Sequence, residues 1–134
     1  MTNGITCHEA LPNVPQAVGP YSPAVTAGDF IFLSGQVPLD PSSGALVSDN
    51  ISEQTQQVLK NLESVLSALG TSFNHVVKTT IFLTDLTHFQ TVNKLYESTL
   101  GGHKPARSTI EVKGLPLGAL VEMEMIVKTP DRSA

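Results

Sequence analysis

A chain of 134 residues, 40% of them hydrophobic, is long enough for one domain around one core, and a domain near this size buries roughly two-thirds of its unfolded surface. Its formal charge is -4 and its eight Lys and Arg are spread along the chain without a basic stripe, so binding to a nucleic-acid backbone has little electrostatic support. Cys7 is the only cysteine, which excludes an intrachain disulfide and a Cys-based zinc site. A reducing compartment fits that cysteine usage. No apolar run approaches the ~18 residues of a membrane span, and Met1 to Asn13 carry neither a secretory apolar core nor a presequence arginine. The expectation is a soluble cytoplasmic protein that does not enter a membrane.

Ile5 to His8 reads as a first strand, with Cys7 and His8 on opposite faces. Leu11-Pro12-Asn13-Val14-Pro15-Gln16 is a proline-spaced loop leading into Gly19-Pro20-Tyr21-Ser22-Pro23, where blocked hydrogen bonding keeps the chain extended. Ala24 to Ala27 is a short strand, Gly28-Asp29 a tight turn, and Phe30 to Val37 a strand apolar on both faces. Asp40-Pro41-Ser42-Ser43-Gly44 is a turn. From Asn50 the period changes: Val58, Leu59, Leu62, Val65, Leu66 and Leu69 form one helical stripe, with Asn50 as the cap, Glu53 as third helical residue and Gly70 as the stop. His75 to Leu83 is a β-branched strand. A second helix from about Thr87 to Leu100 turns Phe89, Val92, Leu95 and Tyr96 inward and ends at Gly101-Gly102. Two strands close the chain, Arg107 to Val112 and Leu120 to Lys128, joined through Gly114-Leu115-Pro116.

The order predicts a single α+β domain over residues 1-134, one mixed β-sheet with two helices packed on one face. On the closing strands the apolar set, Ile110 and Val112 with Val121, Met123, Met125 and Val127, is expected on the helix side. The opposite face then carries Arg107, Thr109, Glu111, Glu122 and Glu124. A sheet face that mixes apolar with selected charged residues is a poor solvent surface, so another subunit is expected to cover it. The site would lie in the cleft between subunits.

Arg107 and Glu122 are the leading candidates for chemistry, because an ionised group away from water costs several kcal/mol (order of magnitude) unless paired or bound to something charged. The planar fork of Arg107 matches the carboxylate of a small acid; an internal ion pair with Glu111, Glu122 or Glu124 is the competing account. Glu122 can position or deprotonate a water, or serve as the structural partner of Arg107. Ser34-Gly35-Gln36 offers a hydroxyl and a bare backbone to a ligand, or is a strand end with a bulge. Tyr21 either presents its hydroxyl at a subunit seam or pins its loop, and Asn93 either contacts a ligand or caps a neighbouring loop. The four histidines show no metal-ligand spacing on one helix face and no Ser/His/Asp set is present, so all four read as structural or surface residues. Gly101-Gly102-His103-Lys104-Pro105 lacks the helix N-terminus of a phosphate loop, and no nucleotide site is expected.

Taken together, Gly19-Pro20-Tyr21-Ser22, Phe32-Leu33-Ser34-Gly35-Gln36, Val77 to Leu83, Thr91-Val92-Asn93, Pro105-Ala106-Arg107-Ser108 and Val121-Glu122-Met123-Glu124 resemble, in order, the RidA/YjgF reactive-intermediate deaminase family from about Gly19 to Val127. The resemblance implies a chorismate-mutase-like fold assembled as a homotrimer with sites between subunits. It also implies hydrolysis of small 2-imino acids, such as 2-iminopropanoate with its tautomer 2-aminoacrylate, and 2-iminobutanoate, released by pyridoxal-phosphate enzymes, to 2-oxo acids and ammonia, with no cofactor and no metal. Carried over, Arg107 matches the carboxylate-binding arginine and Glu122 the acid that positions water. Tyr21, Ser34, Gly35 and Asn93 match other site-lining positions, with Tyr21 or Ser34 as proton sources. Thr109 stands where the family often has cysteine, so a thiol nucleophile is not required; Thr109 would contribute backbone groups or its hydroxyl. Two other readings remain: an endoribonuclease that inhibits translation, against which the acidic balance argues, and a non-catalytic small-ligand-binding or chaperone module that needs Arg107 without Glu122.

Overall fold

The computed structural model describes residues 3–130. Its elements are β1 (Ile5–His8), β2 (Ala24–Ala27), β3 (Phe30–Gln36), α1 (Ile51–Ala68), β4 (Val76–Leu83), α2 (Phe89–Leu100), β5 (Ala106–Glu111) and β6 (Val121–Lys128). The six strands form one sheet in the order β1-β2-β3-β6-β4-β5. All neighbouring pairs are antiparallel except β4 with β5, which are parallel and joined through α2 as a parallel pair requires. The expected α+β architecture, two helices against one mixed sheet, is the observed one. Among the described residues no helix is long and apolar enough to cross a membrane.

The core lies between the helices and one sheet face. Val58, Leu62 and Val65 of α1 meet Ile31 and Leu33 of β3, Ile81 and Leu83 of β4, and Val121, Met123 and Met125 of β6, all buried. Burying each such side chain contributes about 1.5–3 kcal/mol. Local chemistry sets the helix limits. The Asn50 carboxamide oxygen accepts from Glu53 N at 3.0 Å, as its position before the apolar stripe predicts. Gly101 ends α2 at φ 59°, a left-handed conformation that a Cβ disfavours. The second helix starts two residues later than expected because Asp85 first caps a short 3₁₀ turn over Leu86–His88, accepting from Thr87 N at 2.9 Å.

The face assignment of β5 is the point where structure and sequence differ. Thr79, Ile81 and Leu83 of β4 are buried under the helices, and they stand beside Arg107, Thr109 and Glu111 of β5. Those three therefore lie on the helix side, away from Glu122 and Glu124, which pair with Phe82 and Thr80 on the open face. Ile110 is on the open face, 44% exposed, and Val112 lies past the strand's end. The reason is that β5 is an edge strand. Alternation of polarity reports burial only where a layer covers the strand, and at the sheet edge cover on the helix side thins while the open face carries apolar Phe32 and Ile110, 46% and 44% exposed.

Two buried amides of α1 fasten the loops around the sheet. Gln54 donates to Ser48 O and accepts from Leu120 N, both at 2.8 Å. Asn61 donates to Leu39 O at 3.0 Å and Val37 O at 3.3 Å, and accepts from Gln57 at 2.8 Å. Replacing Asn61 with Leu takes the buried side-chain donor from Leu39 O, while Val37 O keeps Leu39 N at 2.7 Å. Asn61→Leu is expected to lower the free energy of unfolding by about 1–3 kcal/mol in denaturant titration, with the slope against denaturant unchanged.

Candidate active site

The sequence-predicted residues fall into two clefts. The first, of about 670 Å³, collects Tyr21, Ser34, Gly35 and Glu122, with Gln36, Val18 and Leu117 around them. The second, of about 370 Å³, holds Asn93 and Arg107 with Tyr96, Glu97, His103 and Lys104. Thr109 stands two residues along β5 from Arg107, on the same face, and lines neither cleft. Its hydroxyl is buried and without a hydrogen-bond partner among the described residues. Arg107 and Glu122 lie on opposite faces of the sheet, so one chain alone does not bring them together.

The first cleft is shaped by an irregularity in β3. Leu33 pairs with Met125 and Gln36 with Met123, so β3 spends one residue more than β6 over this stretch, a bulge at Ser34-Gly35. The segment is a bulge, as one of its two readings has it, and it lines the first cleft. Ser34 is also the tie that holds the proline loop. Its N–H donates to Pro23 O at 2.9 Å and its Oγ to Ser22 O at 2.6 Å, which leaves Tyr21 half-exposed at the cleft rim. Gly35 has a steric reason to be glycine: a Cβ there would collide with Glu122 Oε2. The glutamate thus occupies the space that a side chain on the bulge would fill. Half-buried in this position, Glu122 has its pKa raised above the usual 4.5, first by desolvation and then by the neighbouring charge of Glu124. A carboxyl with a raised pKa is poised to exchange protons with a reacting group.

The second cleft is built by α2 against β5. None of the glutamates proposed as internal partners holds Arg107: Glu111 accepts from Leu86 N at 2.9 Å, and Glu122 and Glu124 lie on the other face. The guanidinium instead lies against two aromatic rings, 5.1 Å from the Tyr96 centroid and 5.7 Å from that of Phe89. Rings hold the cation through its π face and leave the N–H fork free for a planar anion. Asn93 lies between these aromatics on the same helix stripe. The sequence reading placed Phe89 and Tyr96 inward as core and missed their contact with Arg107; the signal was an aromatic pair seven residues apart with Asn93 between.

With the geometry in place, kinship is decisive. A family model described as Endoribonuclease L-PSP matches residues 11–129. The chain belongs to the RidA/YjgF family. It is 50% identical to the mouse protein named 2-iminobutanoate/2-iminopropanoate deaminase over 112 residues, 84% of this chain and 83% of the mouse protein. Over 114 residues it is 45% identical to a RutC family protein of Pyrococcus horikoshii, covering 85% of this chain and 90% of that one. Among solved structures, the YjgF gene product from E. coli superposes with a TM-score of 0.86 at 38% identity, over 93% of this chain and 100% of that one. A Rid family protein from Yersinia pestis gives a TM-score of 0.89 at 44% identity, over 93% and 99%.

For this RidA/YjgF chain the electrostatics of the first cleft can be tested directly. Removing the charge at position 124 makes ionised Glu122 less costly, so its pKa must fall toward the usual value while desolvation keeps it from falling the whole way. In Glu124→Gln, the carboxyl ¹³C titration of Glu122 is expected to move to lower pH than in the parent protein.

Proposed function

We propose that this protein is a deaminase that hydrolyses small 2-imino acids to 2-oxo acids and ammonia, acting as a homotrimer whose clefts between subunits join the Arg107 half-site of one copy to the Glu122 half-site of another. The observation that carries the reading is the fork of Arg107, free of carboxylate partners, in a cleft of its own, with the half-buried Glu122 carboxyl, its pKa raised by desolvation, on the opposite sheet face. A second copy is needed to bring the two into one site. The names of the mouse and human relatives, at 50% and 45% identity, support the same substrate class. No cofactor is needed for the reaction as written below, and a cytoplasmic setting fits a substrate released by pyridoxal-phosphate enzymes.

The chemistry follows from the groups. Arg107 takes the substrate carboxylate in two parallel hydrogen bonds, fixing the imine carbon. Glu122 accepts a proton from a water as its oxygen attacks that carbon, and the C=N π pair moves onto nitrogen. The protonated Glu122 then returns the proton to nitrogen. The C–N bond breaks as the new hydroxyl gives up its proton to the departing amino nitrogen and its oxygen becomes the carbonyl, leaving a 2-oxo acid and ammonia. Asn93, Tyr21, Gly35 and Thr109 line or flank this path, and Ser34 acts chiefly by holding the Tyr21 loop, since its hydroxyl proton is already given to Ser22 O.

The deciding measurement is ammonia and 2-oxo acid release when the protein is added to 2-aminoacrylate generated in place. Acceleration over buffer that vanishes in Arg107→Ala and Arg107→Lys supports the reading, because a point charge cannot copy the bidentate fork. Glu122→Gln should lose turnover while keeping affinity for pyruvate; unchanged turnover in that variant would remove Glu122 from the mechanism, and a parent that binds pyruvate without accelerating hydrolysis would be a binder. RNA cleavage that survives purification and disappears in Arg107→Ala would favour the nuclease reading instead.

Gly35→Ala offers an independent check, since a methyl at the bulge displaces the Glu122 carboxylate without touching Arg107. A displacement near 1 Å is expected to cost about 100-fold in kcat, with the melting temperature little changed. Full activity in Gly35→Ala would mean that the seat of Glu122 does not matter to the reaction.

A further inference from the structure

The aromatic seat beneath Arg107 is organised more tightly than cleft lining requires. Phe89, Asn93 and Tyr96 stand at i, i+4 and i+7 on α2, one stripe on one helix face. Seven residues of helix separate their two terminal Cα atoms by about 10.5 Å along the axis. The guanidinium carbon lies 5.7 Å from the Phe89 centroid and 5.1 Å from that of Tyr96, in contact with both ends of the stripe. Tyr96 is itself fixed: 6% exposed, it donates its phenolic proton to Thr79 Oγ1 at 2.9 Å. Thr79 is fully buried and is the β4 residue paired with Arg107 in the sheet. The phenol thus ties the ring to the backbone position beside the arginine. Burial raises the Tyr96 pKa, partly offset by the Thr79 hydrogen bond and the Arg107 charge, so the phenol keeps its proton as a donor at neutral pH.

We infer that Tyr96 is a positioning residue: anchored by Thr79 and aided by Phe89, it sets the plane of the Arg107 guanidinium and so the direction in which a substrate carboxylate is captured. The inference rests on the reading of Arg107 as a carboxylate clamp. The Tyr96 hydroxyl satisfies the buried Thr79 hydroxyl, and the same bond tethers a ring that must not slide under a cation. A free arginine side chain samples many rotamers, and each one lost on binding weakens capture. A guanidinium already held against two rings presents its fork with less of that loss.

Because the clamp grips the carboxylate before and during hydrolysis alike, its disorder should appear in KM and not in kcat. Tyr96→Leu is expected to raise KM about 10-fold with kcat within about 3-fold of the parent. Tyr96→Phe, which keeps the ring and loses the tether, should fall between. Phe89→Leu, at a partly exposed position, provides a variant that spares the core and should raise KM about 3-fold.

The decisive readout is coupling. In an Arg107→Ala background, Tyr96→Leu should add no further loss of affinity for pyruvate, whereas a merely structural tyrosine would add its full effect. Pyruvate binding followed by calorimetry supplies this measurement without turnover. A parent protein that binds no pyruvate overturns the clamp and this inference together. A parent that binds, with Tyr96→Leu and Phe89→Leu binding equally well, overturns the positioning role alone. Additive losses in the double variant overturn it too.

Discussion

The pairing of Thr79 with Arg107 decides more of this molecule than any other contact. Side chains alternate across a strand, so this one register puts Arg107 and Thr109 under α2 and Ile110 on the open face. The antiparallel pairing of β4 with β6 does the converse for Glu122, which shares the open face with Phe82. A slip of one residue in either ladder would exchange the faces of every side chain on the strand. In the β4–β6 ladder such a slip is costly, since the buried Val121, Met123 and Met125 would leave the core together. The register that builds the core is thus also the device that separates the cation from the acid.

Each charged group then has a seat that is not an ion pair. Arg107 rests on rings, and Glu122 fills the space left by a glycine in a bulge. In both cases the protein gives up a stabilising partner. A carboxylate beside Arg107 would have satisfied the cation and blocked its fork; a basic neighbour beside Glu122 would have lowered its pKa and made it a weaker proton acceptor. Aromatic faces and partial desolvation hold the two groups in place while leaving their reactive atoms uncommitted. That combination is common where function, not stability, sets the side chain.

The sequence showed most of the scaffold because most of it is periodic. The apolar stripe of α1, the Asn50 cap and the β-branched run of β4 are local patterns, and the structure follows them to within a residue or two. Arg107 and Glu122 stood out because charges are rare on strands that cross a core. What stayed hidden was relational. The face of β5 could not be read because an edge strand need not obey hydrophobic alternation, and Ile110 looked like core when it is 44% exposed. The roles of Gln54 and Asn61 were hidden for a similar reason: an amide on the inward face of a helix acquires meaning only from loop N–H and carbonyl groups as far as 66 positions away in the chain. Tyr96 read as packing because the cation it meets belongs to a strand formed later in the chain.

Under the proposed function, the open sheet face and the separation of Arg107 from Glu122 have one solution. The face that carries Glu122 also exposes Phe30, Phe32 and Ile110, more apolar surface than a strand face in water usually tolerates. An exposed apolar surface next to a half-site favours association, and association of identical chains repeats the same contact around a closed ring. If the contact that covers Phe32 is also the one that carries a neighbour's Arg107 toward Glu122, then burial of apolar area and completion of the site draw on the same free energy. The catalytic constellation would exist only in the assembled state, and an isolated chain would hold a well-formed acid and a well-formed clamp with no means of acting together.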